Sequence, residues 1–374
     1  MVKPINLKEL AAAAGLGLAG ITGAAPLDTI TERLQHRLAE GRITPFEEKD
    51  PFRRISPGHL LPDCRTIIVL GLPYTTACDP LPLSESDGPR GEVARCARGL
   101  DYHVVLEQKG EQLARLIQKE IAAPLRYRVL SDRSPLIERE LARLAGLGRS
   151  GENCTLITPE CGSYVALGTI LLDREMEENS PLPGSCAGCG RCLASCPTGA
   201  LVAPHILDPT RCLSYLTQAP GVVPAEIRPL FGRRLYGCDR CQEVCPHNRR
   251  QQPPLSPENT FDFFPGQPLL LPLLQMTGKE FSQTIGFSAA GWRGKTTLQR
   301  NAVIALGNSG DQSAVPSLAR LLAEDARPLI RLHAAWALGR IAGVKARRYL
   351  EISLKREQDQ AVRIELRRAL DEAI

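Results

Sequence analysis

The sequence predicts a chain in three parts: an α/β unit with a mixed sheet over residues 1–173, a loop-rich segment ordered by cysteine ligands over 174–258, and an all-α repeat array over 259–374. Three observations carry this. Short apolar runs alternate with helical periodicity in the first part. Eight cysteines crowd between Cys186 and Cys245 in the second. A period of 32 residues marks the third.

In the first part, the Ala- and Gly-rich stretch after Leu10 looks like the core of a signal peptide. Glu9 precedes it and glycines interrupt it, so a helix followed by a short strand is expected. Thr66–Leu72 is apolar and β-branched, bounded by Asp63 and Pro73, which reads as a buried strand. Residues 101–122 carry Val104, Val105, Leu106, Leu113, Leu116 and Ile117 at helical spacing. A strand over Tyr127–Leu130, a helix over Glu138–Leu144, and strands at Cys154–Thr158 and Tyr164–Leu172 follow. The last two, joined by a turn, argue for a mixed sheet. Neither a Gly-x-Gly-x-x-Gly turn nor a Walker sequence is present, so nothing points to a nucleotide cofactor.

The second part opens with Cys186-x-x-Cys189-x-x-Cys192-x-x-x-Cys196-Pro197. Cys212 and then Cys238-x-x-Cys241-x-x-x-Cys245-Pro246 follow. This is the ligand run of a ferredoxin-like domain holding two 4Fe-4S clusters. Three closely spaced thiolates wrap one cubane, while the cysteine before proline reaches the other. Cys186, Cys189, Cys192 and Cys245 are therefore expected on one cluster, and Cys196, Cys212, Cys238 and Cys241 on the second. Structural zinc or a disulfide framework would leave both Cys-Pro endings unexplained. Five further cysteines, Cys64, Cys78, Cys96, Cys154 and Cys161, are scattered. Free thiols beside cluster ligands fit a reducing cytoplasm.

In the third part Ala305-Leu306-Gly307 recurs as Ala337-Leu338-Gly339 and, in part, as Ala369-Leu370. Gln299, Arg331 and Arg363 fall in the same register. Two helices per unit make this a short HEAT-like array, the alternative being a plain helical bundle. From Trp292 onward there are 15 Lys and Arg against 9 Asp and Glu, which accounts for all of the +5 net charge. A basic surface confined to one part, with arginines at regular spacing, suits a polyanion or a solvated helical face. No apolar run reaches the roughly 18 residues of a membrane helix, so no membrane partner is expected.

Asp132 follows a predicted strand and precedes a proline turn, which places a carboxyl at a cavity mouth or at the N-cap of the next helix. Asp101, Tyr102 and His103 gather nearby in sequence. Asp101-x-His103 begins like a cobalt-binding loop, but Leu106 stands where that loop needs glycine.

The segments Arg95–His103, Ser131–Gly148, Gly162–Gly168, Arg211–Gln218, Gly232–Asn248 and Gly291–Asn308 together resemble epoxyqueuosine reductase over nearly the whole chain. The resemblance implies a cobalamin-binding N-terminal domain of nitroreductase-like fold, supplied with electrons by the two clusters. It implies a substrate, tRNA carrying epoxyqueuosine at the wobble position, that is reduced to queuosine in the last step of that pathway. Asp132 matches the proton donor. Arg54, Tyr102, Arg139 and Asn153, with Asp132, match positions around cofactor or substrate. Trp292, Arg293 and Lys295 near the last domain junction, with Arg300, Arg331 and Arg363, are expected on tRNA. A monomer and an external low-potential electron donor are expected. Glu152 departs from the resemblance, which implies lysine there, and Arg149 departs beside it. The competing readings are a corrinoid reductive dehalogenase and a non-enzymatic iron–sulfur carrier that binds nucleic acid.

Overall fold

A computed structural model describes residues 5–74, 88–248 and 266–372. Cys78 lies outside the described residues, as does the expected boundary at 258. The chain packs as two units that do not follow the three sequence segments. One comprises Met1–Ala77, Leu100–Cys212 and Arg240–Phe261; the other comprises Cys78–Gly99, Leu213–Asp239 and Asp262–Ile374. The cysteine segment is divided between them.

The first unit is built on four strands: β1 (Leu18–Gly23), β2 (Thr66–Pro73), β3 (Tyr127–Leu130) and β4 (Val165–Leu172), in the order β1-β2-β4-β3. Every pairing is antiparallel, with Ile21 opposite Ile68, Val69 opposite Thr169 and Val129 opposite Ile170. The sheet is therefore not mixed. The expectation rested on a late hairpin, but Leu156–Ile157 pairs with Arg149–Ser150 in a separate ribbon. Long connections leave strand direction unspecified by local sequence.

β2 is buried along its whole length because both faces are covered. Ile68, Leu70 and Leu72 meet helices α1 (Leu7–Ala13) and α2 (Tyr102–Ile121) through Leu7, Ala11, Leu106, Leu113 and Ile117. Ile67 and Val69 face Leu141, Ala142 and Ala145 at helix α3 (Glu138–Leu144). Two-sided burial is why the strand reads as a continuous apolar run.

The second unit carries the array: α4 (Gly294–Ser309), α5 (Val315–Glu324), α6 (Pro328–Ile341), α7 (Val344–Arg356) and α8 (Gln360–Glu372). The recurring glycines are where successive helices touch. A Cβ on Gly307 would stand 2.9 Å from the Ala337 Cα, and one on Gly339 would stand 2.9 Å from the Ala369 Cα. The in-register polar residues share one job as well. Gln299 donates to the carbonyls of Leu273 and Leu274, Arg331 to that of Asp325, and Arg363 to that of Glu357. Arg331 and Arg363 close the C-terminal end of the helix before them and Gln299 that of the helix Leu270–Gln275, satisfying carbonyls that have no intrahelical partner.

Residues 223–228 are fastened to this array. Arg228 forms a buried two-point pair with Glu365, at 2.7 and 3.2 Å, and its guanidinium lies over the Trp336 ring. The Val223 N–H donates to His333 Nε2, whose other ring nitrogen bonds the Leu329 carbonyl. Burial holds His333 neutral, its pKa pushed down to about 3. Glu365→Ala should strand the Arg228 charge and cost about 3–5 kcal/mol. Denaturant unfolding measures this, and a variant as stable as the parent would show that the pair is not integral to the unit.

Candidate active site

β3 delivers Asp132 to the N-terminus of α2. Ser131 is buried and its hydroxyl donates to Glu107 Oε1 at 2.8 Å, fixing the end of the strand. Asp132 then adopts a left-handed backbone, φ 45°, a conformation that aspartate tolerates better than most side chains. Its Oδ2 accepts from the Tyr102 hydroxyl at 2.7 Å and lies 3.7 Å from His103 Nε2. Asp101 caps α2, accepting from the His103 N–H at 3.1 Å and meeting His103 Nδ1 at 2.5 Å. Asp132 does not cap α3: Ile137 occupies that N-cap, without a side-chain bond. The cap reading is thereby removed.

The charges around Asp132 separate. His103 is pushed up to about 9: burial opposes its charge, but the hydrogen bond to Asp101 and the attraction of Asp132 outweigh burial. Asp132 is held below the usual carboxylate range. Desolvation works against its charge, yet His103, the Tyr102 hydroxyl and Arg139 more than offset it. Glu138, which accepts the Asp132 N–H at 2.9 Å, is pushed up to about 8 by burial and by the neighbouring Asp132 charge. At neutral pH the cluster therefore holds two protons, on His103 and Glu138, beside an ionised Asp132. The Asp132 side chain is 59% exposed.

This arrangement predicts a pH dependence. Folded His103 keeps its proton to about pH 9, against 6.5 for an unperturbed group. Its contribution to stability is complete below pH 6.5 and is lost as pH rises toward about 9. Glu138 acts in the same direction between 4.5 and about 8. Denaturant unfolding across this range should show falling stability, and His103→Gln should flatten the upper part. An unchanged slope would remove His103 from the account.

Arg54 lies in the short helix Pro51–Ile55, capped by Asp50, and pairs with Glu47 at 3.2 Å. Its Nε is buried without a partner. Burial lowers its pKa, and the Arg37 and Arg139 charges add to that. Arg139 is exposed and donates to the Cys154 carbonyl.

A second site lies in the same unit. Cys186, Cys189, Cys192 and Cys245 all line one cavity, with Glu152, Asn153, Ile157, Arg191 and His247, so Asn153, expected beside Arg54 and Asp132, stands on the wall of the cysteine cavity. The short helices that carry Cys192 and Cys241, Arg191–Ser195 and Arg240–Glu243, pack on each other. This brings Cys245 to the first cysteine run, as cross-ligation requires. Asn248 ties the second run to the sheet: it accepts from the Ser163 N–H at 2.7 Å and donates to the Gln242 carbonyl at 2.8 Å. Gly162 must lack a side chain there, since a Cβ would fall 2.0 Å from Asn248 Oδ1. Of the other four cysteines, Cys196, Cys212 and Cys241 belong to the first unit and Cys238 to the second. Cys196 Sγ accepts the Ala200 N–H at 3.2 Å.

The expected tRNA residues divide sharply. Arg300 is 1% exposed and donates to the carbonyls of Ala219 and Gly221, its pKa pushed down to about 10 by burial. Arg331 makes a two-point pair with Glu357, both bonds 2.8 Å, besides its bond to Asp325. Arg363 is bonded to the Glu357 carbonyl. Arg300 lies outside the 32-residue register and is tied to the carbonyls of residues 219 and 221; Arg331 and Arg363, in register with Gln299, bond helix-end carbonyls, so their spacing records helix capping and not a phosphate-tracking row. Trp292 is 53% exposed, with its indole N–H on Gln218 and Tyr236 and Arg293 stacked 4.6 Å from its ring centre. Lys295 reaches the Met276 carbonyl at 3.2 Å.

His103 and Glu138 are the functional candidates that sequence reasoning missed. Glu138 opens α3 six residues after Asp132, across a proline-containing turn, and that spacing was the available signal.

Comparison with known proteins agrees with this layout. A family model described as a 4Fe-4S double cluster binding domain matches residues 185–248. One described as epoxyqueuosine reductase QueG matches 54–133, and HEAT repeats match 294–371. The chain is 38% identical over 366 residues to an epoxyqueuosine reductase of Bacillus subtilis, covering 98% of this chain and 95% of the relative. It is 37% identical to the Staphylococcus aureus enzyme, covering 96% and 93%. A crystal structure of selenomethionine-labelled epoxyqueuosine reductase superposes with a TM-score of 0.94, at 38% identity and 98% coverage of both chains. One solved with an epoxyqueuosine-modified tRNA-Tyr stem loop gives 0.93, at 38% identity, covering 98% of this chain and 97% of that one. The chain belongs to the epoxyqueuosine reductase family.

Proposed function

We propose that this chain reduces epoxyqueuosine at the wobble position of tRNA to queuosine. The observation that carries this is likeness over 98% of the chain to an enzyme solved with an epoxyqueuosine-modified stem loop. The reaction takes two electrons and two protons and releases the epoxide oxygen as water, leaving an alkene.

Two 4Fe-4S clusters and cobalamin fit the residues present. The four-cysteine cavity suits one cluster, and Cys196, Cys212, Cys238 and Cys241 are assigned the other. For cobalamin, the buried Nε of Arg54 lacks a partner and Arg139 and Asp132 stand exposed. Arg54, Tyr102, Asp132 and Arg139 would hold it. When bound, it supplies strongly reducing cobalt chemistry, with the clusters passing electrons singly from an external low-potential donor.

Asp132 delivers the proton that lets the epoxide oxygen leave. Cofactor and substrate would cover its exposed carboxyl, and loss of water raises a carboxyl's pKa toward the value a general acid needs. His103, 3.7 Å away and protonated, resupplies it, and Tyr102 orients it. The Bacillus subtilis enzyme has been solved with its aspartate-bearing catalytic loop swung out of the active site, which supports placing Asp132 on a movable turn. Residues 1–173 are assigned to cobalamin and catalysis, 174–258 to the clusters and 259–374 to tRNA. Trp292, Arg293 and Lys295 offer a shelf on which an unpaired anticodon base can stack and be clamped. Among the described residues no helix is long and apolar enough to cross a membrane. A monomer acting in the cytoplasm fits a tRNA substrate and oxidation-sensitive clusters.

The test is anaerobic reconstitution with iron, sulfide and cobalamin, then assay on epoxyqueuosine-containing tRNA. Queuosine should form; a fully loaded protein that produces none would overturn the reading. Conversion of a halogenated organic instead would favour the dehalogenase.

A further inference from the structure

The wall of the four-cysteine cavity holds two adjacent side chains of opposite electrostatic effect. Asn153 is 6% exposed, lines the cavity, and keeps its Nδ2 buried without a partner. Its amide can be oriented in only one way. The Thr155 backbone N–H points at it from 3.3 Å and the Thr155 hydroxyl from 2.8 Å, and a backbone N–H can only donate. Oδ1 therefore faces Thr155 and Nδ2 faces away. A buried donor with no acceptor costs about 1–3 kcal/mol, so a partner is expected when the site is filled.

Glu152 enters the cysteine run itself. Its Oε2 takes the Gly190 N–H at 3.4 Å, and its Oε1 would lie 3.8 Å from a Cβ on Gly188. These two glycines flank Cys189 with φ of 64° each. The backbone beneath is clamped: the His205 N–H donates to the Glu152 carbonyl at 3.0 Å, and His205 Nδ1 meets the Gly151 carbonyl at 3.0 Å. Gly151 is needed for this packing, because a Cβ there would stand 2.5 Å from Asn153 Oδ1. The backbone that carries both side chains is thereby held against the cavity.

We propose that Glu152 and Asn153 together set the reduction potential of the 4Fe-4S cluster bound by Cys186, Cys189, Cys192 and Cys245. Hydrogen bonds to cluster sulfurs and local charge are the protein's means of tuning such a centre. Reduction adds one electron to the cluster. An N–H from Asn153 to a sulfur stabilises the added charge and raises the potential. A carboxylate at Glu152 repels it and lowers the potential. Both would act through the cluster and not on the reacting epoxide. The inference rests on the assignment of a cluster to this cavity.

The test is a redox titration of the anaerobically reconstituted full chain, followed by electron paramagnetic resonance, with the second cluster as internal reference. Glu152→Gln keeps an acceptor for Gly190 and removes the charge. It should shift the reduction equilibrium of this cluster about tenfold toward the reduced form, which is about 59 mV for one electron. Asn153→Asp keeps the acceptor for Thr155 and replaces the donor; it should shift the equilibrium about tenfold the other way. Iron content separates the two possible failures. A parent protein without this cluster would refute the assignment beneath the inference. Full iron with both potentials at the parental value would overturn the inference alone, as would a shift confined to the other cluster.

Discussion

Alanine at Cys245 is expected to remove the cluster shared with Cys186, Cys189 and Cys192, leaving about four irons of the eight that two cubanes hold. Turnover should fall to background. Cys245 is 53 residues beyond Cys192, yet both line the same cavity. The packing of helix Arg191–Ser195 on Arg240–Glu243 brings them there. Cys245 is buried, and its thiol pKa is raised by burial and then by the neighbouring Cys186 and Cys189. The measurement is iron content with Mössbauer or paramagnetic resonance spectra of the loaded variant. Loss of the signal assigned to Cys196, Cys212, Cys238 and Cys241 instead would refute the cross-ligation.

Asp132→Asn should lower turnover by roughly a hundred- to ten-thousand-fold, the usual effect of losing a general acid. Asparagine tolerates the left-handed backbone at this position and can still accept from Tyr102. Iron, cobalamin and tRNA should therefore still bind. A second effect distinguishes this from simple damage. His103 loses one of its two carboxylate neighbours, so its pKa should drop from about 9. Nuclear magnetic resonance of the imidazole measures that drop. Near-parental rates in anaerobic single-turnover assays would mean that water or another group is the donor.

The elements were legible where burial and periodicity coincide. Glu138–Leu144 has the expected bounds because Leu141 and Ala142 pack directly on β2. Strand direction was not legible. It is decided by which edges meet across the long connections, and no residue near Thr66 or Tyr127 encodes that. The meeting of Cys245 with Cys186, Cys189 and Cys192 was legible because ligand spacing is a local property of a chain wrapped on a cubane. The proton-bearing groups were not: His103 is raised against its burial by Asp101 and by Asp132, which the fold brings to it, and Glu138 is raised by burial and by the Asp132 charge. The arginine register was seen but misread. Periodicity reports a repeated job, and here the job is closing helix ends, which a list of charges does not distinguish from a ligand surface.

The Arg228–Glu365 pair has a bearing on how this array could change in evolution. A duplicated copy of residues 328–359 would fit its neighbours well, since each glycine seat and each helix-closing arginine would find its counterpart one unit along. Repeat arrays commonly lengthen in this way. Here, however, the added unit would carry Glu365 past Arg228 and bring the copy of His333 opposite it. The buried guanidinium would then face an uncharged ring that already serves Val223 in the original unit. One ion pair thus acts as a ruler: it makes the gain or loss of a unit ahead of Glu365 costly at a point outside the array.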